Sequence, residues 1–180
     1  MLISRDNALL LIVDIQEKLA PAIHETETVT ANSARLLHAA AQLAVPAFVS
    51  EQYVRGLGPS LPAIRDAAGE AHFFEKTHFS CAAEPGILDQ LLAVGRRQII
   101  LTGTETHVCV LQTACGLLEA DFQVYLVADA SSSRAPASKE TAITRLRALG
   151  VQVVTTEMVL FEWLRRAATD EFRAMLPLIK

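Results

Sequence analysis

The chain has 180 residues, of which 51% are hydrophobic and 20% charged, and its formal net charge is -4. This length fits one domain spanning residues 1–180 with a sizeable core, and the composition excludes a largely disordered chain. The near-balanced charge and the lack of a basic cluster argue against a nucleic-acid-binding surface.

Neither the hydrophobic runs nor the cysteines indicate export or membrane insertion. No apolar run approaches the roughly 20 residues that a membrane span needs, so we expect no membrane partner. The first apolar run is short and ends at Asp14, which is unlike a secretory signal. The three cysteines, Cys81, Cys109 and Cys115, lack paired spacing. We therefore expect no disulfide framework and a reducing, cytoplasmic location.

Short apolar runs alternate with helical patterns along the chain. The predicted strands are residues 9–13, 45–50, 71–75, 98–102, 123–128 and 151–155. The predicted helices are residues 28–43, 85–93, 108–120 and 139–149, followed by helical turns to the end, and residues 55–59 are a predicted loop. Continuous apolarity indicates strands covered on both faces, and intervening helices indicate parallel pairing. The predicted fold is a doubly wound, Rossmann-like α/β/α sandwich with a six-stranded, mainly parallel sheet.

Three chemically capable residues follow predicted strands of this sheet. Asp14 ends the first strand, Lys76 ends the third, and Cys109 comes just after the fourth. Ligands in such folds bind beyond the carboxyl ends of the strands, so we expect these residues to lie at one edge. Taken singly, each has a plain structural alternative: a helix cap for Asp14, a solvated strand end for Lys76 and a buried packing thiol for Cys109.

Taken together, the three residues suit nucleophilic catalysis. A helix N-terminus after the fourth strand favours the thiolate of Cys109, and its N–H groups can hold an oxyanion. The Asp14 carboxylate can accept the thiol proton, and the Lys76 ammonium can balance the charges.

Three segments in order resemble the isochorismatase-like cysteine hydrolase family. They are residues 9–16, 76–80 and 103–114, and they carry Asp14, Lys76 and Cys109 at the positions of the family's catalytic triad. The resemblance implies attack of the thiol on a small amide, imide or ester-like substrate, through a thioester intermediate. It also implies a cis peptide bond between Thr104 and Glu105 and an oxyanion hole built from the backbone N–H groups of Glu105 and Cys109.

The sequence departs from the metal-dependent branch of this family. Nicotinamidases carry an Asp-x-His-x-x-His motif after the second strand, whereas residues 50–58 here read SEQYVRGLG and contain neither histidine. We therefore expect no metal and no cofactor, as in a metal-free small-hydrolase subgroup that this stretch resembles. Vinyl ether hydrolysis, as in isochorismatase itself, remains an alternative. So does a thiol redox or sensing protein, although no Cys-x-x-Cys pair is present.

Further residues are predicted around the site. Loop residues expected to line the substrate pocket are Gln16, Gln52, Tyr53, Phe79 and His107. Cys81 and Cys115 are expected to pack in the interior, and Asp129 to fasten a loop. An apolar C-terminal segment and the habits of the family predict a homo-oligomer, a dimer or larger, with possible sharing of loops between subunits.

Overall fold

The centre of the molecule is one parallel β-sheet. A computed structural model describes residues 1–179, with strands β1 (Ala8–Val13), β2 (Ala47–Gln52), β3 (His72–Lys76), β4 (Gln98–Thr104), β5 (Gln123–Ser132) and β6 (Gln152–Val154). The strand order is β3-β2-β1-β4-β5-β6, and each neighbouring pair is parallel. This confirms the doubly wound fold, and the sheet is entirely rather than mainly parallel.

Helices cover both faces of the sheet. They are α1 (Thr26–Gln42), α2 (Val54–Leu57), α3 (Pro62–Ala68), α4 (Ile87–Ala93), α5 (Leu111–Glu119), α6 (Pro136–Ala148), α7 (Thr156–Leu164) and α8 (Asp170–Ile179). One core joins the sheet to α1, α3, α7 and α8, and the other joins it to α4, α5 and α6. The central strands β1 and β4 are buried along their whole length, because helices cover both of their faces, whereas the edge strand β3 has exposed residues at His72 and Glu75.

The structure differs from the sequence-based expectation in four elements. Helix α3, Pro62–Ala68, was not predicted. Part of the predicted loop at residues 55–59 forms the short helix α2. Strand β5 runs four residues beyond its predicted end, to Ser132, because its polar end pairs with Gly103 and Thr104 of β4. The helix after β4 opens with a π-helical turn, Thr106–Val110, before α5 begins.

The apolar C-terminal segment mostly packs on its own sheet. Trp163 and Met175 are almost fully buried in the first core, and Phe172 packs against it, whereas Phe161 is 44% exposed. Unburied apolar surface is therefore a weaker argument for an oligomer than the sequence suggested. Within residues 1–179, none of the helices has the length and apolarity to cross a membrane.

Strands β1 and β4 meet where the strand order reverses, and their backbones come very close. Gly103 of β4 has a φ of 129°, and a Cβ atom there would lie 2.1 Å from the carbonyl oxygen of Val13. Only glycine fits this position. The close approach brings the residues that follow β1 and β4, Asp14 and Glu105, to the same edge of the sheet. This reversal is where open α/β sheets form their binding crevice.

Candidate active site

Asp14 lies in a closed polar setting at the end of β1. Its side chain is fully buried. One carboxylate oxygen, Oδ1, accepts a 2.7 Å hydrogen bond from Ser50 Oγ, and the other, Oδ2, accepts one of 2.7 Å from Lys76 Nζ. Thr104 Oγ1 donates to the Asp14 carbonyl at 2.6 Å, which fixes the backbone. A buried carboxylate needs such partners, and here two of them determine the direction of its oxygens.

Lys76 is equally buried and well anchored. Its ammonium nitrogen also lies 2.6 Å from Gln52 Oε1 and 3.3 and 3.2 Å from the carbonyl oxygens of His78 and Phe79. Only 1% of the residue is exposed to solvent. The ammonium is therefore a fixed charge beside Asp14, and its plain alternative, a solvated strand end, is wrong.

Cys109 lies in the π-helical turn after β4 and is 5% exposed. The turn starts from Glu105, whose carbonyl oxygen accepts hydrogen bonds from the N–H groups of Val108 at 2.8 Å and Val110 at 3.4 Å. The predicted cis bond before Glu105 is wrong, because every peptide bond among residues 1–179 is trans. The chain turns instead through a left-handed conformation of Glu105, with a φ of 55°.

The electrostatics of the site keep the Cys109 thiol and the Lys76 ammonium protonated. Burial raises the pKa of the Cys109 thiol, the Asp14 charge raises it further, and the Lys76 charge only partly offsets the two. Burial by itself would lower the pKa of Lys76, but the charge of Asp14 and the hydrogen bond to it raise that pKa above its ordinary value. The resting state is therefore a thiol beside an Asp14–Lys76 ion pair, and the expectation of a resting thiolate is not supported.

Cys81 belongs to the surroundings of the site, although the sequence suggested only packing. It is fully buried in the same core as Cys109, and its backbone N–H donates to Thr113 Oγ1 at 2.9 Å. Burial and then the Asp14 charge raise the pKa of its thiol to about 11, against an opposing effect of Lys76. Ser50 was also not predicted from the sequence as a residue of the site. Its hydroxyl lies on β2, where Ser50 is in register with Val13, the residue before Asp14.

These raised pKa values predict a loss of stability in alkaline solution. In the folded chain the pKa of Cys81 is about 11, whereas in the unfolded chain the thiol loses its proton near its ordinary pKa of 9.0. Between these pH values the folded state binds more protons, so its stability falls by about 1.4 kcal/mol per pH unit for this thiol. Urea unfolding between about pH 8 and pH 11 should show this slope, and Cys81→Ala should reduce it. If Cys81→Ala left the dependence of stability on pH unchanged, the raised pKa of Cys81 would be contradicted.

The five residues predicted to line the substrate pocket fall into two groups. Gln16 is fully buried, and its side chain forms hydrogen bonds with the backbone of Gln52 and Gly58. This geometry gives Gln16 a structural role. Gln52 lies at the end of β2. Its side-chain oxygen accepts a hydrogen bond from Lys76, and its side-chain nitrogen donates one to the Thr77 carbonyl. Tyr53 and Phe79 are about half exposed beside these residues. Contact of any of them with a substrate stays a prediction.

His107, the fifth of these residues, borders a cleft of about 880 Å³. The cleft runs between Ser80 and Arg145 along α5, and Cys115 also lines it. None of Asp14, Lys76 and Cys109 lines this cleft, so the polar cluster and the cleft are neighbours rather than one pocket. Cys115 is partly exposed here and is not purely a packing residue.

The donor set resembles no metal centre within the part of the chain that the structure describes. Residues 1–179 contain no group of three or more His, Cys, Asp or Glu side chains placed to hold a metal ion. Metal-free activity stays a prediction.

The fold and the cluster together define an α/β protein with a buried carboxylate, an ammonium and a thiol at the switch point of its sheet. The Isochorismatase domain model matches residues 8–158. The chain is 38% identical to isochorismatase domain-containing protein 2 of Danio rerio over 178 residues, covering 98% of this chain and 89% of the relative. The chain therefore belongs to the isochorismatase family of hydrolases.

Solved structures agree with this assignment. A protein named MAR1 ribonuclease from Caenorhabditis elegans superposes with a TM-score of 0.93 at 34% identity, covering 99% of this chain and 92% of its own. YcaC from Escherichia coli, described as an octameric hydrolase of unknown specificity, gives a TM-score of 0.92 at 23% identity, over 99% of this chain and 90% of its own. The second likeness establishes a shared fold.

Proposed function

We propose that the protein is a cysteine hydrolase that cleaves a small amide, imide or ester-like substrate through a thioester on Cys109. The observation that carries the proposal is the fully buried Asp14–Lys76 ion pair of 2.7 Å beside a buried thiol. Buried charge pairs are costly, and a carboxylate–ammonium pair acting on a thiol is a common sign of function.

In the proposed first step, Asp14 accepts the proton of the Cys109 thiol while the sulfur attacks the carbonyl carbon of the substrate. Lys76 keeps one positive charge next to the carboxylate, which orients it for this transfer. The raised pKa of Cys109 fits a proton transfer that accompanies attack rather than precedes it.

The later steps return the site to its starting state. The negative charge on the former carbonyl oxygen is held by the backbone N–H groups of Glu105 and Cys109 at the start of the π-helical turn. The carbon–nitrogen or carbon–oxygen bond then breaks, and the leaving group takes the proton from Asp14. Water attacks the thioester, releasing a carboxylic acid and restoring the thiol.

Three other activities are weaker candidates. A redox or sensing thiol would need a lowered pKa, whereas burial and Asp14 raise that of Cys109. Vinyl ether hydrolysis would use Asp14 as an acid and Lys76 as a positive charge. It would form no covalent adduct with Cys109. The name of the nematode relative suggests a third reaction, RNA cleavage, which our prediction of no nucleic-acid partner opposes.

Homo-oligomer formation and a cytoplasmic location also remain predictions.

The test is an activity screen over small amides, imides and esters, with vinyl ethers and an RNA oligonucleotide as further arms. We expect turnover in one of the acyl classes, and Cys109→Ala should reduce it by about 10³-fold or more. Cys115→Ala is the matched control, because it removes a partly exposed thiol away from Asp14 and should leave turnover unchanged.

Mass spectrometry of the intact protein during turnover should show the acyl group on Cys109. Turnover of an acyl substrate by Cys109→Ala at the wild-type rate would contradict the proposal. So would cleavage confined to the vinyl ether or RNA arm.

A further inference from the structure

The side chain of Glu105 lies inside the protein at the end of β4, where Thr104 and Thr106 on either side of it are also buried. It is 8% exposed, and one of its oxygens, Oε1, contacts Arg134 Nε. The other, Oε2, lies 3.2 Å from His107 Nδ1, and that nitrogen also lies 3.0 Å from Ser133 Oγ. These contacts join residues 105–107, before Cys109, to residues 133 and 134, after β5.

Glu105 also has an unfavourable backbone. Its φ of 55° is in the left-handed region, which residues other than glycine adopt only when their surroundings enforce it, at a cost on the order of 1 kcal/mol or more. Glycine would relieve this cost, yet the chain has glutamate. Unlike glycine, glutamate brings a carboxylate to this position, and that carboxylate contacts Arg134.

The position of this residue explains what its backbone controls. The Glu105 carbonyl starts the π-helical turn through its bonds to Val108 and Val110, and Cys109 lies inside that turn. A rotation of the Glu105 backbone would therefore redirect the N–H groups of Glu105 and Cys109 together. The second segment is itself held in place, because the Ser133 carbonyl accepts a 3.0 Å hydrogen bond from the His24 N–H.

We infer that the Glu105 carboxylate and Arg134 are positioning residues that hold the backbone donors of Glu105 and Cys109 in place for the oxyanion. We call this pair the Glu105–Arg134 clamp. The inference rests on the proposed function, and it assigns to the two side chains a role separate from the chemistry of Asp14, Lys76 and Cys109. The clamp acts on the transition state, since the oxyanion forms only there.

The test uses 4-nitrophenyl acetate as the acyl probe and four variants: Glu105→Ala, Glu105→Gly, Arg134→Met and Arg134→Lys. The first three should lower kcat by about 100-fold, the loss typical of one oxyanion donor, with little change in KM. Arg134→Lys keeps a charge near Glu105 and should retain most of the activity. Arg134 is 61% exposed, so its variants should fold. Glu171→Gln, which breaks a remote ion pair with Arg5, is the matched control.

A second measurement separates positioning from damage to the site. Iodoacetamide reacts with Cys109 without an oxyanion, so its rate should be the same in the clamp variants and the wild type. A kcat for Glu105→Gly within about threefold of the wild type would overturn the inference, because the backbone would then need no anchor. A parallel loss of kcat and alkylation rate would also overturn it.

The failure of the proposed function is a different result. In that case Cys109→Ala would turn over the probe as fast as the wild type, which would overturn the proposed function and the clamp together. If Cys109→Ala is inactive and the clamp variants are fully active, only the clamp is wrong.

Discussion

Replacement of Lys76 by methionine should lower the free energy of unfolding by about 3–5 kcal/mol and abolish turnover. Methionine fills a similar volume, but it leaves the fully buried Asp14 carboxylate with Ser50 Oγ as its remaining side-chain partner. An uncompensated buried charge accounts for losses of this size. Urea unfolding at neutral pH measures the stability, and the acyl substrate of the screen measures the activity.

The double variant Asp14→Asn/Lys76→Met is the control for this experiment. It removes both charges, so a large part of the lost stability should return while turnover stays absent. Equal stability of Lys76→Met and the wild type would show that Asp14 is neutral in the folded protein and that the ion pair has been misassigned.

Asp14→Asn should separate thiol reactivity from catalysis. The Asp14 charge raises the pKa of Cys109, and the Lys76 charge lowers it. Without the carboxylate the pKa of the thiol falls, so alkylation of Cys109 by iodoacetamide at neutral pH should become about 10-fold faster or more. Turnover should fall by about 10²–10⁴-fold, because the variant lacks the base and acid of the proposed reaction.

Faster alkylation together with slower turnover is expected only if Asp14 raises the pKa of Cys109 and also acts as the base of the reaction. Asp170→Asn, which removes an exposed carboxylate of α8, should change neither rate. If Asp14→Asn slowed alkylation and turnover together, Asp14 would instead be generating a thiolate in the resting protein. The measurement needs peptide mapping by mass spectrometry, so that labelling of Cys109 is counted apart from Cys81 and Cys115.

Much of the fold could be predicted because the central strands are buried on both faces. A run such as residues 98–102, with three consecutive apolar residues at its centre and helical patterns on either side, indicates a central strand. The same reasoning placed Asp14, Lys76 and Cys109 at one edge, since parallel strands end together. The end of β5 was missed because Asp129 and Ser131 are polar, and a local pattern does not reveal that β4 supplies their partner strand.

The local chemistry around the site was less predictable. The resemblance suggested a cis bond before Glu105, whereas the structure turns through a left-handed residue that no propensity favours. The proximity of Cys81 and Ser50 to Asp14 depends on the packing of separate elements. The pKa of Cys109 illustrates the same limit: a helix N-terminus favours thiolate, but burial and a carboxylate outweigh it.

The ion pair between Asp14 and Lys76 has a consequence for the fidelity of folding. Lys76 is the last residue of β3, the outer strand of the sheet, and it is in register with Gln52 of β2. A slip of β3 by one residue would bring Glu75 or Thr77 to this position and turn the lysine to the other face. Either misalignment would bury Asp14 without its counter-charge, and Glu75 would add a second negative charge. The same pair that we propose for catalysis thus selects the correct alignment of an edge strand that has only one neighbour to guide it.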